Sequence, residues 1–536
     1  MGASLLPGSL GLGRAVSHGG ALSSTLAALG LLLAASASHA EARLLLAPHP
    51  ALRSVPTAPC DHRFDAADIS PAGTGALESW LHDPGLGDAN GDGTLVLCLE
   101  PGVDYRSDVA GVTPEIRIAR DCSASLPCVL RPDWSAPEHP YRQSAQQRVI
   151  LPSLALSGTA EAKVSHWRLQ GLVVRPHSHP RRSAVRLQWT DDSVFDLLWV
   201  DFGEFDPSAG RGTLEAFSVE ADSDRNAVQR NLFTDCPDLG PDEAAVIFTA
   251  YYEPGWDSED NFVADNEMRN CKAVVLASGA VPLAQDLGGF QASGEECVDS
   301  KTAPSRALAS WALRTRIENN EGYVTRAAYF DCALGPGFTP RGGPETECTC
   351  KEAPFESKHR PPPGHENFVR FNRSWGARPG ERWHCGGSSS NGGALQSGNA
   401  CEGSTIHTGN VVWDATLGVG IGGDDVIAAN NLLIDPIEGG GDAEPNGIAV
   451  STGVGASRLG VYRNVFVRPR NSFTQRGSDM DVRCNVVLDP LNENGVSLRG
   501  FDVTTQSNFF YGDGTTAGLT YNLTDCQDGA DGDGCP

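Results

Sequence analysis

The last third of the chain repeats one short alternation of polar and apolar positions. NVVWDA begins at Asn410, NLLIDP at Asn431, NVFVRP at Asn464, NVVLDP at Asn485 and NFFYGD at Asn508. Each is an asparagine, three apolar residues and a turn, and the asparagines are 21, 33, 21 and 23 residues apart. Runs of three to five β-branched and aromatic residues between Gly, Asn and Asp predict short strands and leave no room for a helix within that period. A unit this small cannot bury its apolar side alone, so the repeats must stack as coils of a solenoid. Asparagine suits the corner of such a coil. It tolerates a left-handed backbone, and its amide can bond to asparagines of the coils above and below.

The same signature runs upstream in looser form, through GLVVRP (171–176), DLLWVD (196–201), RNLFTD (230–235), DNFVADNEM (260–268), RIENNEGYV (316–324) and RFNRSW (370–375). Between the asparagines from Asn231 through Asn266, Asn320 and Asn372 to Asn410 the spacing widens to between 35 and 54 residues. The surplus must leave the coil as loops, which in repeat folds gather on one face, often the binding face. The largest insertion, near 333–366, carries Cys348, Cys350 and RPPPGH and predicts a disulfide-tied loop. The Leu-x-x-Leu-x-Leu spacing of leucine-rich repeats is absent. The pattern resembles the right-handed parallel β-helix of pectate lyases and their relatives. The resemblance implies an all-β, single-stranded solenoid with long loop insertions. Its expected bounds are 91–515, after an N-terminal segment and cap at 41–90 and before a tail at 516–536. GDGTLVLCLEPGVDY (91–105), IRIARDCSASLPCVLRP (116–132) and SHWRLQGLVVRP (165–176) read as the lead into the helix.

Residues 1–40 join Arg14 to the apolar run ALSSTLAALGLLLAASA and the small-x-small pattern Ser38-His39-Ala40, an export signal with the mature chain expected near Glu41. No later segment is long and apolar enough to span a bilayer. Fifteen cysteines fit an oxidising compartment, secreted or at the cell surface, with Cys526–Cys535 expected to close the tail. A formal charge of −26 argues against nucleic acid and anionic membranes as partners, and suits a solvated monomer and calcium.

The candidate chemistry centres on GEECVDSK, residues 294–301. Only five of the 41 basic residues are lysines, and lysine, unlike arginine, can lose its proton. With ADNEM before it and GYVTR after it, the stretch resembles polysaccharide lyase family six, the alginate lyases and chondroitinase B type. That resemblance implies calcium held by Asn266, Glu296 and a neighbouring acid, Glu295 or Asp299. Lys301 would take the C5 proton of a uronate, and Arg326 would carry charge toward the leaving oxygen. The family's first acidic ligand falls on Gly294, and its Arg-His-Gly reads Arg326-Ala327-Ala328 here. The plain alternative for Glu296 and Lys301 is an outward ion pair on a strand edge.

Other motifs carry less. DANGDG (88–93) has half of a calcium loop, with Leu99 where a glutamate is expected, and reads equally as an Asx turn; the tail's DGADGDG (528–534) is similar. GIGGDDVIAANN (420–431) resembles the paired aspartates of pectin hydrolases, without their Gly-His-Gly or Arg-x-Lys. Between Pro340 and His384 eight Lys or Arg stand against six Glu. There Arg370, Arg373, Trp375 and Trp383 are candidates to hold an acidic sugar by charge and stacking, or simply solvate and pack a loop. His177 and His179 read as a turn. Two functions follow: a carbohydrate-active protein, in its sharpest form a calcium-dependent lyase of an acidic polysaccharide, or a non-catalytic surface adhesin or glycan-binding protein.

Overall fold

A computed structural model describes the chain from Leu52 to Tyr511 apart from residues 70–74, 109–114, 135–137, 177–182, 204–214, 237–244, 250–256, 272–273, 278–311, 324–354, 359–364, 376–392, 398–404, 414–416, 422–424, 435–447, 453–456, 470, 476–477, 489–495, 499–502 and 507–508. Three long sheets dominate it, one of 14 strands and two of 12, and every strand pairing between named strands is parallel. Each coil visits them in turn. In one coil Glu215–Glu220 lies in the second sheet, Ala227–Gln229 in the first and Leu232–Thr234 in the third. Three parallel sheets wound this way, with the right-handed crossover that parallel strands require, form a right-handed parallel β-helix. The first sheet starts at His62–Phe64, paired with Leu95–Leu99, so its first strand lies within 41–90, the expected N-terminal segment and cap. The α-helix Ala76–Leu81 buries Leu77 and Leu81 against the opening coils.

The side-chain alternation of each strand sets what is inside. Along the first sheet Phe195, Val228, Val263, Ile317, Val369, Ala428 and Val461 occupy one register row and are buried. Phe217, Val246 and Phe248 from the second sheet and Phe233, Met268, Leu433 and Phe466 from the third join them in one continuous core. One polar residue interrupts the row: His407 points inward, fully buried.

The corner from the first to the third sheet carries the asparagine repeat. Asn431 donates from Nδ2 to the Asn464 Oδ1 at 3.0 Å and to the His407 carbonyl at 3.0 Å, and its own Oδ1 accepts from the Asn410 backbone N–H at 3.0 Å. Asn464 repeats this against Asn485, at 2.9 Å from the backbone and 3.0 Å from the amide. The ladder continues down through Asn410, Asn372, Asn320, Asn266 and Asn231. Asn508 lies outside the described residues. The left-handed backbone, however, falls on the residue before each ladder asparagine: Arg230, Asp265, Asn319, Phe371, Asn430, Arg463 and Cys484 all have φ between 52° and 58°, and Gly409 before Asn410 has 69°. Asparagine is there for its amide. A second, shorter row that the motif did not signal joins Ser193, Asn226 and Asn261 at the corner from the second to the first sheet, with Thr315 bonded to Asn367 further along.

Three disulfides are formed among the described residues, Cys60–Cys98, Cys122–Cys128 and Cys236–Cys271, and Cys484 is a free thiol. Cys348, Cys350, Cys526 and Cys535 lie outside them. Among the described residues no helix is long and apolar enough to cross a membrane.

Candidate functional site

The outer face of the third sheet gathers the chemistry. From Trp199–Asp201 onward its strands are three residues long, so the middle side chain enters the core and the two flanking ones face out. Glu267-Met268-Arg269 pairs with Glu321-Gly322-Tyr323, that with Arg373-Ser374-Trp375, and that with Val411-Val412-Trp413. Successive coils therefore place Arg269, Tyr323, Trp375 and Trp413 in one outward file. Tyr323 and Trp375 stack with centroids 4.3 Å apart and planes 5° from parallel; Trp375 and Trp413 stack at 4.5 Å and 9°. These spacings are close to the separation of paired strands.

A polar cluster closes the lower end of the file. Arg269 donates from Nε to the Tyr323 hydroxyl at 2.8 Å, from Nη2 to Glu267 Oε1 at 2.8 Å and from Nη1 to the Tyr141 hydroxyl at 3.3 Å. Tyr323 in turn donates to Glu267 Oε1 at 2.6 Å. Burial pushes the Tyr323 phenol up, helped by the Glu267 carboxylate, to about 12. Burial also works against ionised Glu267, but the Tyr323 and Arg269 hydrogen bonds outweigh it and hold the carboxyl below its usual range. At neutral pH the cluster is thus a carboxylate, a protonated phenol and a guanidinium.

Tyr141 reaches this cluster from the segment that crosses the outside of the sheet. It is the large apolar side chain exposed among the described residues, at 46%. Its ring meets Trp199 edge-on at 5.3 Å, and the Arg269 guanidinium lies 5.3 Å from its centroid. His139 caps the short 3-10 turn Pro140–Arg142 by accepting from the Tyr141 N–H at 3.2 Å. Burial, with the Arg142 charge behind it, pushes the His139 imidazole down to about 4, so it stays neutral and keeps that acceptor. Arg148 covers the Trp199 ring at 4.8 Å and spends its donors on the Pro140 and Gln143 carbonyls.

The residues singled out from the sequence fare unevenly. Lys301, Arg326, Glu295, Glu296, Asp299 and Trp383 lie outside the described residues. Asn266 does not fit a cation site on the outer face. It is 1% exposed within the ladder, its Oδ1 accepts from the Asn231 N–H at 2.9 Å, and its Nδ2 donates to Val228 and Asn320. The next residue, Glu267, is the one that faces out. Arg370 is divided from Arg373 and Trp375 by the Asn372 corner: it is buried against the first sheet, where its Nε bonds Glu318 at 2.5 Å. Arg373 is exposed, and Trp375 sits in the aromatic file. Of the paired aspartates, Asp425 is forked by Arg458 at 2.6 and 2.9 Å, and Asp424 lies outside the described residues. DANGDG closes as an Asx turn, with Asp88 accepting from the N–H groups of Gly91, Asp92 and Gly93. Tyr141, His139, Trp199, Glu267, Arg269, Tyr323 and Trp413 went unnoticed in the sequence. For the third-sheet residues among them the available signal was the i, i+2 pattern flanking each strand.

No family model and no curated protein matches the chain. Among solved structures, it resembles the A-module of a mannuronan C-5 epimerase from Azotobacter vinelandii, with 12% identity over 84% of this chain and 94% of that one and a TM-score of 0.35. It is similarly close to a mannuronic-acid-specific family 6 polysaccharide lyase from human gut microbiota, with 11% identity, coverage of 84% and 87%, and a TM-score of 0.42. A surface protein and adhesin of Streptococcus pneumoniae gives 8%, 84%, 97% and 0.34 for the same measures. The fold rests on the chain's own strand registers, and none of these likenesses bears on its chemistry.

Proposed function

We propose that this β-helix is an exported carbohydrate-active protein that engages an acidic, uronate-containing polysaccharide on the outer face of its third sheet. The observation that carries the reading is Arg269, a half-buried guanidinium braced by Glu267, Tyr323 and Tyr141 beside an exposed aromatic ring. Three of its donors are used in that bracing and two of the five remain for a ligand carboxylate. Tyr141 supplies a ring for the apolar face of a sugar. Tyr323 holds its proton at neutral pH and gives it to Glu267 in a hydrogen bond while accepting from Arg269, which fixes the guanidinium in place for the ligand.

The finer form of the reading is β-elimination, with Lys301 taking the C5 proton and Arg326 bearing charge at the leaving oxygen. Calcium on Glu295, Glu296 and Asp299 belongs to that form, but Asn266 does not fit the ligand set, and no step is assigned to a metal. The inward Asn266 favours a second reading, glycan binding without turnover. The test is a panel of alginate, pectate, chondroitin and heparin, each with and without EDTA, followed by the ultraviolet absorbance of the unsaturated product and by retention of the polysaccharide. Product formed by the parent and abolished in Lys301→Ala and Lys301→Arg supports the lyase. Retention with no product supports the binding protein, and neither product nor retention on any acidic polysaccharide overturns the proposal.

A further inference from the structure

The outer face of the first sheet carries an apolar stripe, where a solvated solenoid would ordinarily be polar. Val96 and Val129, and beyond Arg168 Val194 and Ala227, stand in one outward register row with no exposed surface, and Cys98, Phe262 and Ala264 extend the stripe. What covers them is the chain's own segment 52–60. Val55 is buried on the stripe, and Leu52, Ala58 and Cys60 pack beside it.

The segment holds on with few backbone bonds. It belongs to no strand, and Pro56 and Pro59 have no N–H to give. Gln229, itself fully buried, clamps one residue from both sides: its Oε1 accepts from the Arg53 N–H at 3.0 Å and its Nε2 donates to the Arg53 carbonyl at 2.8 Å. The Arg53 guanidinium reaches the Arg225 carbonyl, and Arg131 donates to the Ala58 carbonyl at 2.7 Å. Asn90 donates to the Pro59 carbonyl at 3.5 Å, and a covalent tie, the Cys60–Cys98 disulfide, joins the segment to the first sheet.

We propose that residues 52–60 form a disulfide-locked strap, the resident occupant of an apolar groove on the first sheet, and that opening Cys60–Cys98 releases it. The lock works by effective concentration: the tether keeps a weakly bonded segment over its groove. A dithiol reductant opens it by delivering two electrons and two protons. The S–S bond breaks, Cys60 and Cys98 each gain an S–H bond, and the dithiol becomes a disulfide. Asp133 places a carboxylate oxygen 3.2 Å from the Cys60 sulfur, and its negative charge repels an attacking thiolate and slows the exchange. The strap closes only where disulfides form, and until then the stripe is open to another apolar segment.

Hydrogen–deuterium exchange of the mature protein tests this, comparing the parent with Cys60→Ser, which leaves the buried Cys98 in place. The peptide spanning 52–60 is expected to exchange at least about tenfold faster, with Leu95–Leu99 and Ala227–Gln229 unchanged and a rise in the fluorescence of a dye that binds apolar surface. Gln229→Ala, with the disulfide intact, is expected to raise exchange at Arg53 by a smaller factor. If Cys60→Ser does not fold, the folded parent treated with dithiothreitol gives the same readout. An unchanged strap peptide in the opened protein overturns the proposal. So does loss of protection in the two strands together with the strap, which would make the disulfide a staple of the coil.

Discussion

His407 is the residue whose chemistry is most at odds with its place. It occupies a core row between Val369 and Ala428 on neighbouring coils, and burial pushes its imidazole down to about 4 from an ordinary 6.5. The folded state therefore binds the proton less readily than the unfolded state, and the sign follows: stability is full above pH 6.5, falls as pH drops, and is lost down to about 4. His139, also held to about 4, acts in the same direction. Denaturant midpoints from pH 7.5 to pH 4 are expected to fall, and His407→Leu should remove a part on the order of 3 kcal/mol of that fall. A slope unchanged by the substitution would show that His407 is not the group titrating. At the outer face, Tyr141→Ala should weaken glycan binding several-fold through the lost ring contact, on the order of 1 kcal/mol, with only a small fall in the unfolding midpoint from the lost Trp199 and Arg269 contacts of a half-exposed side chain.

At the scale of the element, the asparagine ladder fixes how one coil sits on the next. Asn431→Ala would remove the bonds to the Asn410 N–H and to the His407 carbonyl in a buried corner, for a loss of about 2–5 kcal/mol. A urea midpoint that does not move would refute that role. The ladder was legible in the sequence because its period survives even where loops intervene; the conformation at the corner was not. The repeat marks the asparagine, whereas the left-handed turn falls one residue earlier, on types as unlike as Arg230, Phe371 and Cys484. The candidate site was missed for a related reason. In Asn266-Glu267-Met268-Arg269 the asparagine is the conspicuous residue, yet the pleat sends Asn266 into the ladder and Glu267 and Arg269 outward. A shift of one position exchanges the buried and exposed sets. Tyr141 and His139 come from a segment that shares no period with the coils, so only the folded chain brings them to Arg269.

Over the whole molecule, charge and architecture divide the work. A chain of formal charge −26 repels a polyanion at long range. Binding of an acidic polysaccharide must then come from a local arrangement, and Arg269 with Tyr141 and the aromatic file supplies one along the helix axis. Because salt screens the general repulsion as well as the local attraction, raising ionic strength should weaken binding less steeply than for a basic protein. The most direct measurement is calorimetric titration of a uronate oligosaccharide into the parent and into Arg269→Ala, both in EDTA, with Arg458→Ala as a control at a corner fork with Asp425. The account predicts binding by the parent and by Arg458→Ala, and at least about tenfold weaker binding by a folded Arg269→Ala, the scale of a lost charge-assisted hydrogen bond. Equal affinities for the parent and Arg269→Ala would contradict it.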